Sequence, residues 1–139
     1  MGDRCYIYGQ VLKRDWPPFC AFLGVDDSVR EPDDDYANSV AFSFSEANYA
    51  WFTELHGASQ AGLTFVVYND AGGSYGIGVV ISIGGRFFPC ETNNEREVCV
   101  PLQEDGTIAD GAMERARAAL RAEQECRRLL KREDPDGAV

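Results

Sequence analysis

The sequence has little of what catalysis usually draws on. It holds a single histidine, His56, so any Ser–His or Cys–His nucleophile pair depends on that residue alone. Its five cysteines (Cys5, Cys20, Cys90, Cys99 and Cys126) are odd in number, irregularly spaced and free of any C-x-x-C, which excludes structural zinc spacing. No apolar run approaches the ~18 residues that mark a membrane span. The opening segment, MGDRCYIYG, lacks the apolar stretch of a signal peptide. Cys5 and Tyr6 do not supply the hydroxyl of a myristoylation signal after Gly2. These absences lead to the expectation of a cytoplasmic protein with reduced thiols, Cys90 and Cys99 among them although a hairpin would bring the two face to face.

Positive charge is also scarce. Lys and Arg total 13 against 23 Asp and Glu, a net charge of −10. The deficit is uneven: residues 1–109 hold 6 basic and 16 acidic side chains, whereas residues 110–139 hold 7 of each. An acidic body repels nucleic-acid phosphates and anionic lipid. It attracts basic protein surfaces instead and speeds encounter with them.

The acid is concentrated in one place. Asp26 to Asp35 (DDSVREPDDD) carries six carboxylates against one arginine. These consecutive aspartates sit in a polar, Pro-containing stretch and stay solvated and ionised, which suits neither general acid catalysis nor a raised pKa. They supply oxygen ligands for a hard cation, but the alternation, Gly and distal Glu of an EF-hand are missing. No cofactor and no metal is expected.

Other candidates carry less. Gly72 to Gly78 (GGSYGIG) breaks the G-x-G-x-x-G order, has no Lys-Ser or Lys-Thr after it, and runs into a strand rather than a helix N-terminus. A glycine-rich turn explains it. His56 falls near a helix C-terminus, where the helix dipole favours it without a catalytic role. Trp51, Tyr36 and Tyr75 are candidates for an aromatic patch beside the acidic loop, because Trp and Tyr anchor interfaces.

The remaining pattern spells out a fold. Cys5–Lys13 is rich in β-formers, and Asp15 precedes a short helix over Trp16–Leu23 that Gly24 ends. Val25–Asn38 reads as a loop, and Ser39–Phe44 alternates as a half-buried strand. Ser45 is expected to cap a helix whose buried face is Tyr49, Phe52, Leu55 and His56. Leu63–Tyr68, Ile77–Ile83, Arg86–Cys90 and Glu97–Leu102 read as strands, with Gly84-Gly85 as a hairpin turn. Thr107–Arg132 reads as one long helix, with Thr107 and Asp110 approximating a capping box. Its apolar face is Ile108, Ala112, Met113, Ala116, Ala119, Leu120, Cys126 and Leu130.

The prediction is one α+β domain over residues 1–133: a mainly antiparallel sheet of five or six strands, two or three helices on one face, a long C-terminal helix, and a polar tail at 134–139. The function expected of it is that of a small acidic binding protein. Asp26, Asp27, Glu31, Asp33, Asp34 and Asp35, aided by Tyr36, Trp51 and Tyr75, would engage a basic, nucleic-acid-binding surface of a partner protein. Phage-type anti-defence inhibitors, anti-CRISPR proteins among them, have this character by analogy of class alone. The alternatives are an immunity protein that neutralises a toxin, an enzyme on a small polar substrate using His56 or a carboxylate, and a module that dimerises through its C-terminal helix.

Overall fold

Tyr, Ile and Val alternating with smaller residues make Arg4–Leu12 a strand, β1, that pairs on both sides. It is one of five antiparallel strands in the computed structural model, which describes residues 3–131. The others are β2 (Ser39–Asn48), β3 (Phe65–Asn69), β4 (Gly78–Ile83) and β5 (Arg86–Glu91), in the spatial order β2-β1-β3-β4-β5. Three helices complete the domain: α1 (Trp16–Leu23), α2 (Phe52–Gln60) and α3 (Ala112–Lys131). The expected tail at 134–139 and the end of the C-terminal helix lie outside the described residues.

The period of two in each strand sorts its side chains to two faces. Ile7, Val11, Phe42, Phe65, Val67 and Val80 point one way and meet Phe19, Trp16 and Leu55 from α1 and α2. Val66, Tyr68, Val79, Ile81 and Ile83 point the other way and meet Ala119, Ala122, Cys126 and Leu130 of α3. Two helices therefore share one face, as expected, while the long C-terminal helix takes the opposite face. The sheet is the middle of three layers.

Several boundaries move, each for a physical reason. The Gly84-Gly85 hairpin forms as predicted, with φ of 56° and 98° that glycine adopts without steric cost. Glu97–Leu102 forms no strand; only a Thr92–Val98 bridge remains, with Val98 to Val100 half-buried and Pro101 exposed. The long helix starts at Ala112 and not at Thr107, whose hydroxyl donates within the Gln103–Thr107 turn instead. Its buried face is Ala116, Ala119, Ala122, Cys126 and Leu130, so Ile108, Met113 and Leu120 are exposed. Asp15 flanks α1 as expected but makes no side-chain cap; its carboxylate accepts from the Thr64 amide at 2.8 Å and ties α1 to the approach of β3.

The largest departure is at Ser45. It lies inside β2, which continues to Asn48, and is not a helix cap. The chain then turns through three consecutive non-glycine residues in the left-handed region: Tyr49, Ala50 and Trp51, with φ of 51°, 53° and 55°. Such a turn costs roughly 1–2 kcal/mol per residue. Burial of Ala50, stacking of Trp51 on Phe44 at 4.6 Å and a hydrogen bond from the Tyr49 amide to the Asp3 carbonyl offset the cost. The turn also rotates α2, so Tyr49 and Phe52 face outward while Leu55, Ala58 and Ser59 face the core.

Candidate functional site

The acidic run is woven into the domain. Asp26 caps a single 3-10 turn by accepting from the Ser28 amide at 2.8 Å. Bonds from Ser28, first its hydroxyl and then its amide, hold the Asp26 carboxyl below the ordinary carboxylate value. Asp27 accepts from the indole N–H of Trp16 at 2.7 Å. Val29, at the end of the same turn, is buried in the core. Asp35 accepts from the Arg30 guanidinium at 2.6 Å and from the Ala41 amide at 2.7 Å. Glu31 takes the Ser43 hydroxyl at 2.8 Å, and its own amide donates to the Ala41 carbonyl at 2.9 Å.

These contacts lay the loop along the outer edge of β2, where Arg30 bridges to Phe42. An open strand edge is a template for unwanted pairing, and this loop covers it. The run is therefore no separable insertion: three of its six carboxylates bond to residues outside it, and Asp26 caps a turn within it. Among the described residues, the side chains of Asp33 and Asp34 alone of the six have no hydrogen-bond or ion-pair partner, and both are exposed.

The same loop walls a cleft. Helix α3 packs mainly over β4 and β5, leaving the β2–β1 end of its face without a helix above it. There Tyr8 sits opposite Ser43, and Gln10 opposite Ala41. The resulting cleft has a volume of 560 Å³. Glu31, Asp33, Asp34, Asp35 and Tyr36 form one wall; Tyr6, Tyr8 and Gln10 rise from the floor; Tyr68 and Arg127 close the far side. The Gln10 amide nitrogen donates to the Asp34 carbonyl at 3.0 Å, pinning the wall to the floor. Its amide oxygen is buried with no donor among the described residues.

Tyrosine, arginine and carboxylate recur together around this cleft. Arg127 lies over the Tyr68 ring at 5.6 Å, bonds to its hydroxyl and pairs with Glu123 at 3.7 Å. Burial, and then the Glu123 carboxylate that accepts from it, push the Tyr68 phenol upward. Arg96 lies over the Tyr8 ring at 5.2 Å and pairs with Asp70. Lys131 lies over Tyr36 at 5.0 Å. The rings of Tyr8 and Tyr68 stack at 5.4 Å, and Tyr6 continues the row at 5.7 Å from Tyr8.

The structure thus brings together Glu31, Asp33, Asp34, Asp35 and Tyr36 and separates the other candidates from them. Asp26 and Asp27 lie by α1. Trp51 is 8% exposed, a core residue rather than a surface anchor. Tyr75 packs against that same core on the opposite side of the sheet from Tyr36, and its hydroxyl donates to the Asp3 carbonyl. The aromatic patch expected from Tyr36, Trp51 and Tyr75 therefore does not assemble. His56 is exposed on α2, its ring edge-on to Phe87 at 4.9 Å, away from the cleft. Residues of the cleft that the sequence reading assigned to no site are Tyr6, Tyr8, Tyr68, Gln10 and Arg127. The two-residue spacing of Tyr6, Tyr8 and Gln10 in β1 was the available signal that they share a face.

Two further features bear on chemistry. Burial pushes the Cys20 thiol up to about 11 and the Cys126 thiol up to about 12, so neither is a thiolate at neutral pH. The Ala-rich face of α3 packs on the chain's own sheet, so a helix-mediated dimer would have to use Met113 and Leu120 instead. No protein-family model, no curated protein and no solved structure matches this chain.

Proposed function

We propose that the chain is a protein-binding module that engages a basic surface of a partner through the acid-walled cleft and so blocks that surface, as a small inhibitor does. One observation carries the reading. Of six carboxylates in the acidic run, three bond to the fold, Asp26 caps a turn of the run itself, and two, Asp33 and Asp34, have no partner among the described residues and stand at the rim of a tyrosine-floored cleft. Solubility requires charge but not concavity. A concave acidic surface focuses its field and draws cationic groups toward itself. The net charge of −10 adds long-range attraction toward a basic partner and repulsion from nucleic acid, which directs the reading to a protein that handles nucleic acid rather than to nucleic acid itself.

The test is affinity capture from the native host with the wild-type chain and an Asp33→Lys/Asp34→Lys variant, followed by reconstitution of the captured protein. The expected result is a basic partner held by the wild type and lost by the variant, whose own activity falls when the wild-type chain is added. A nuclease complex in that position marks an anti-defence inhibitor, and a toxin marks an immunity protein. Equal capture by both chains overturns the proposal.

A further inference from the structure

The group that the cleft recognises can be named from the way the chain treats its own cations. Arg127 lies on Tyr68 and pairs with Glu123; Arg96 lies on Tyr8 and pairs with Asp70. In both, one guanidinium contacts a tyrosine and a carboxylate together. Arginine suits this arrangement because its planar, weakly hydrated cation stacks on a ring while its N–H fork bonds a carboxylate. Tyr6 is the next ring in the same row, 5.7 Å from Tyr8 and 40% exposed. Among the described residues no cation of the chain lies over it. Across the same cleft stand Asp33 and Asp34, the two carboxylates without partners. Ring and carboxylates line one cleft, and they are the groups that meet a guanidinium at the two filled positions.

We propose that the cleft seats one arginine side chain of the partner, its guanidinium on the Tyr6 ring and its N–H groups donating to Asp33 and Asp34. The inference rests on the reading of the cleft as a protein-binding surface and sharpens it. An array of phosphates would be imitated by carboxylates strung along a surface, whereas here two converge on one concavity. Recognition is then by insertion of a single side chain, surrounded by an acidic surface that supplies attraction but little specificity.

The experiment is a titration of the full-length, ¹⁵N-labelled chain with N-acetyl-arginine methylamide, followed by amide chemical shifts. The lysine analogue and the neutral citrulline analogue serve as the other arms. The expected result is saturable shifts at Tyr6, Gln10, Asp33 and Asp34 with the arginine probe, affinity at least about threefold weaker for lysine, and no saturation with citrulline. Asp33→Asn/Asp34→Asn is expected to weaken the arginine probe about tenfold, and Tyr6→Leu to remove its preference over lysine. Both variants alter exposed side chains, and the dispersion of the same spectra reports whether the fold is kept. Equal shifts with lysine, shifts at residues outside the cleft, or no response to Asp33→Asn/Asp34→Asn each overturn the arginine assignment. None of these bears on the broader proposal, which falls only if the Asp33→Lys/Asp34→Lys chain still captures the partner.

Discussion

The two faces of the sheet are built on different principles. The face under α1 and α2 is sealed by large rings: Phe19, Phe42 and Phe65 are fully buried with centroids 5.2–5.3 Å from Phe19, and Trp16 and Trp51 flank them. The face under α3 is sealed by small groups at one end, Ala119, Ala122 and Cys126, and left open at the other. A helix presenting alanine approaches a sheet closely but covers little width. That is why a cleft remains over β1 and β2, and why tyrosines with polar tips line it in place of phenylalanines. One face supplies stability, and the other spends its coverage on an accessible surface.

The largest expected effect tests this division on the closed side. Phe65→Ala removes a ring at the centre of the aromatic cluster, where α1, β2 and β3 meet and nothing is free to collapse into the void. It is expected to destabilise the protein by about 3–5 kcal/mol, measured by denaturant unfolding. A loss below about 1 kcal/mol would show that the two faces contribute alike.

An intermediate effect is expected where the faces meet at the β2 edge. Asp35→Ala strands the buried Ala41 amide and leaves the Arg30 guanidinium without its partner. The expected cost is about 1–3 kcal/mol, the range for an unsatisfied buried donor. Exchange of the Ala41 amide with solvent, followed by hydrogen exchange, should accelerate along with it. If exchange at Ala41 is unchanged, the loop does not guard that edge.

How much of this was visible beforehand depends on the range of the interaction involved. The strands were legible, β2 in its first half, because alternation, runs of β-forming residues and the Gly84-Gly85 turn are local. The antiparallel α+β class followed from them. The left-handed turn at Tyr49–Trp51 was not legible, because nothing local favours three such residues and tertiary contacts hold them: the burial of Ala50, the Trp51–Phe44 stack and the Asp3 contact. The apolar face of α3 was drawn too wide: Ala116, Ala119, Cys126 and Leu130 are buried as read, whereas Met113 and Leu120 at its margins are exposed and Ala122 takes a place in the core. Against a flat sheet the alanines make the contact. The acidic run was recognised as an anomaly, but its inward bonds to Trp16, Ala41 and Ser43 join residues 6 to 12 apart through the turns between them and leave no trace in composition. The tyrosine row was in the sequence throughout; what made it a site was the width that α3 leaves bare.

The smallest expected effect lies within the acidic run and separates its two kinds of carboxylate. Asp27 holds the Trp16 indole at 2.7 Å, part-buried, whereas the carboxylates of Asp33 and Asp34 hold nothing among the described residues. Neutralising the latter pair as Asp33→Asn/Asp34→Asn removes two adjacent like charges from a loop that already carries Glu31 and Asp35. Its expected effect on stability is zero, or a gain of a few tenths of a kcal/mol as repulsion is relieved. The same double substitution is expected to abolish most of the cleft's affinity for a cation. A fold that would be as stable without two of its charges has no internal use for them. Denaturant midpoints for the double variant and for Asp27→Asn decide the matter: if both fall by the same amount, Asp33 and Asp34 are structural like their neighbours. If only Asp27→Asn falls, their purpose lies outside the chain.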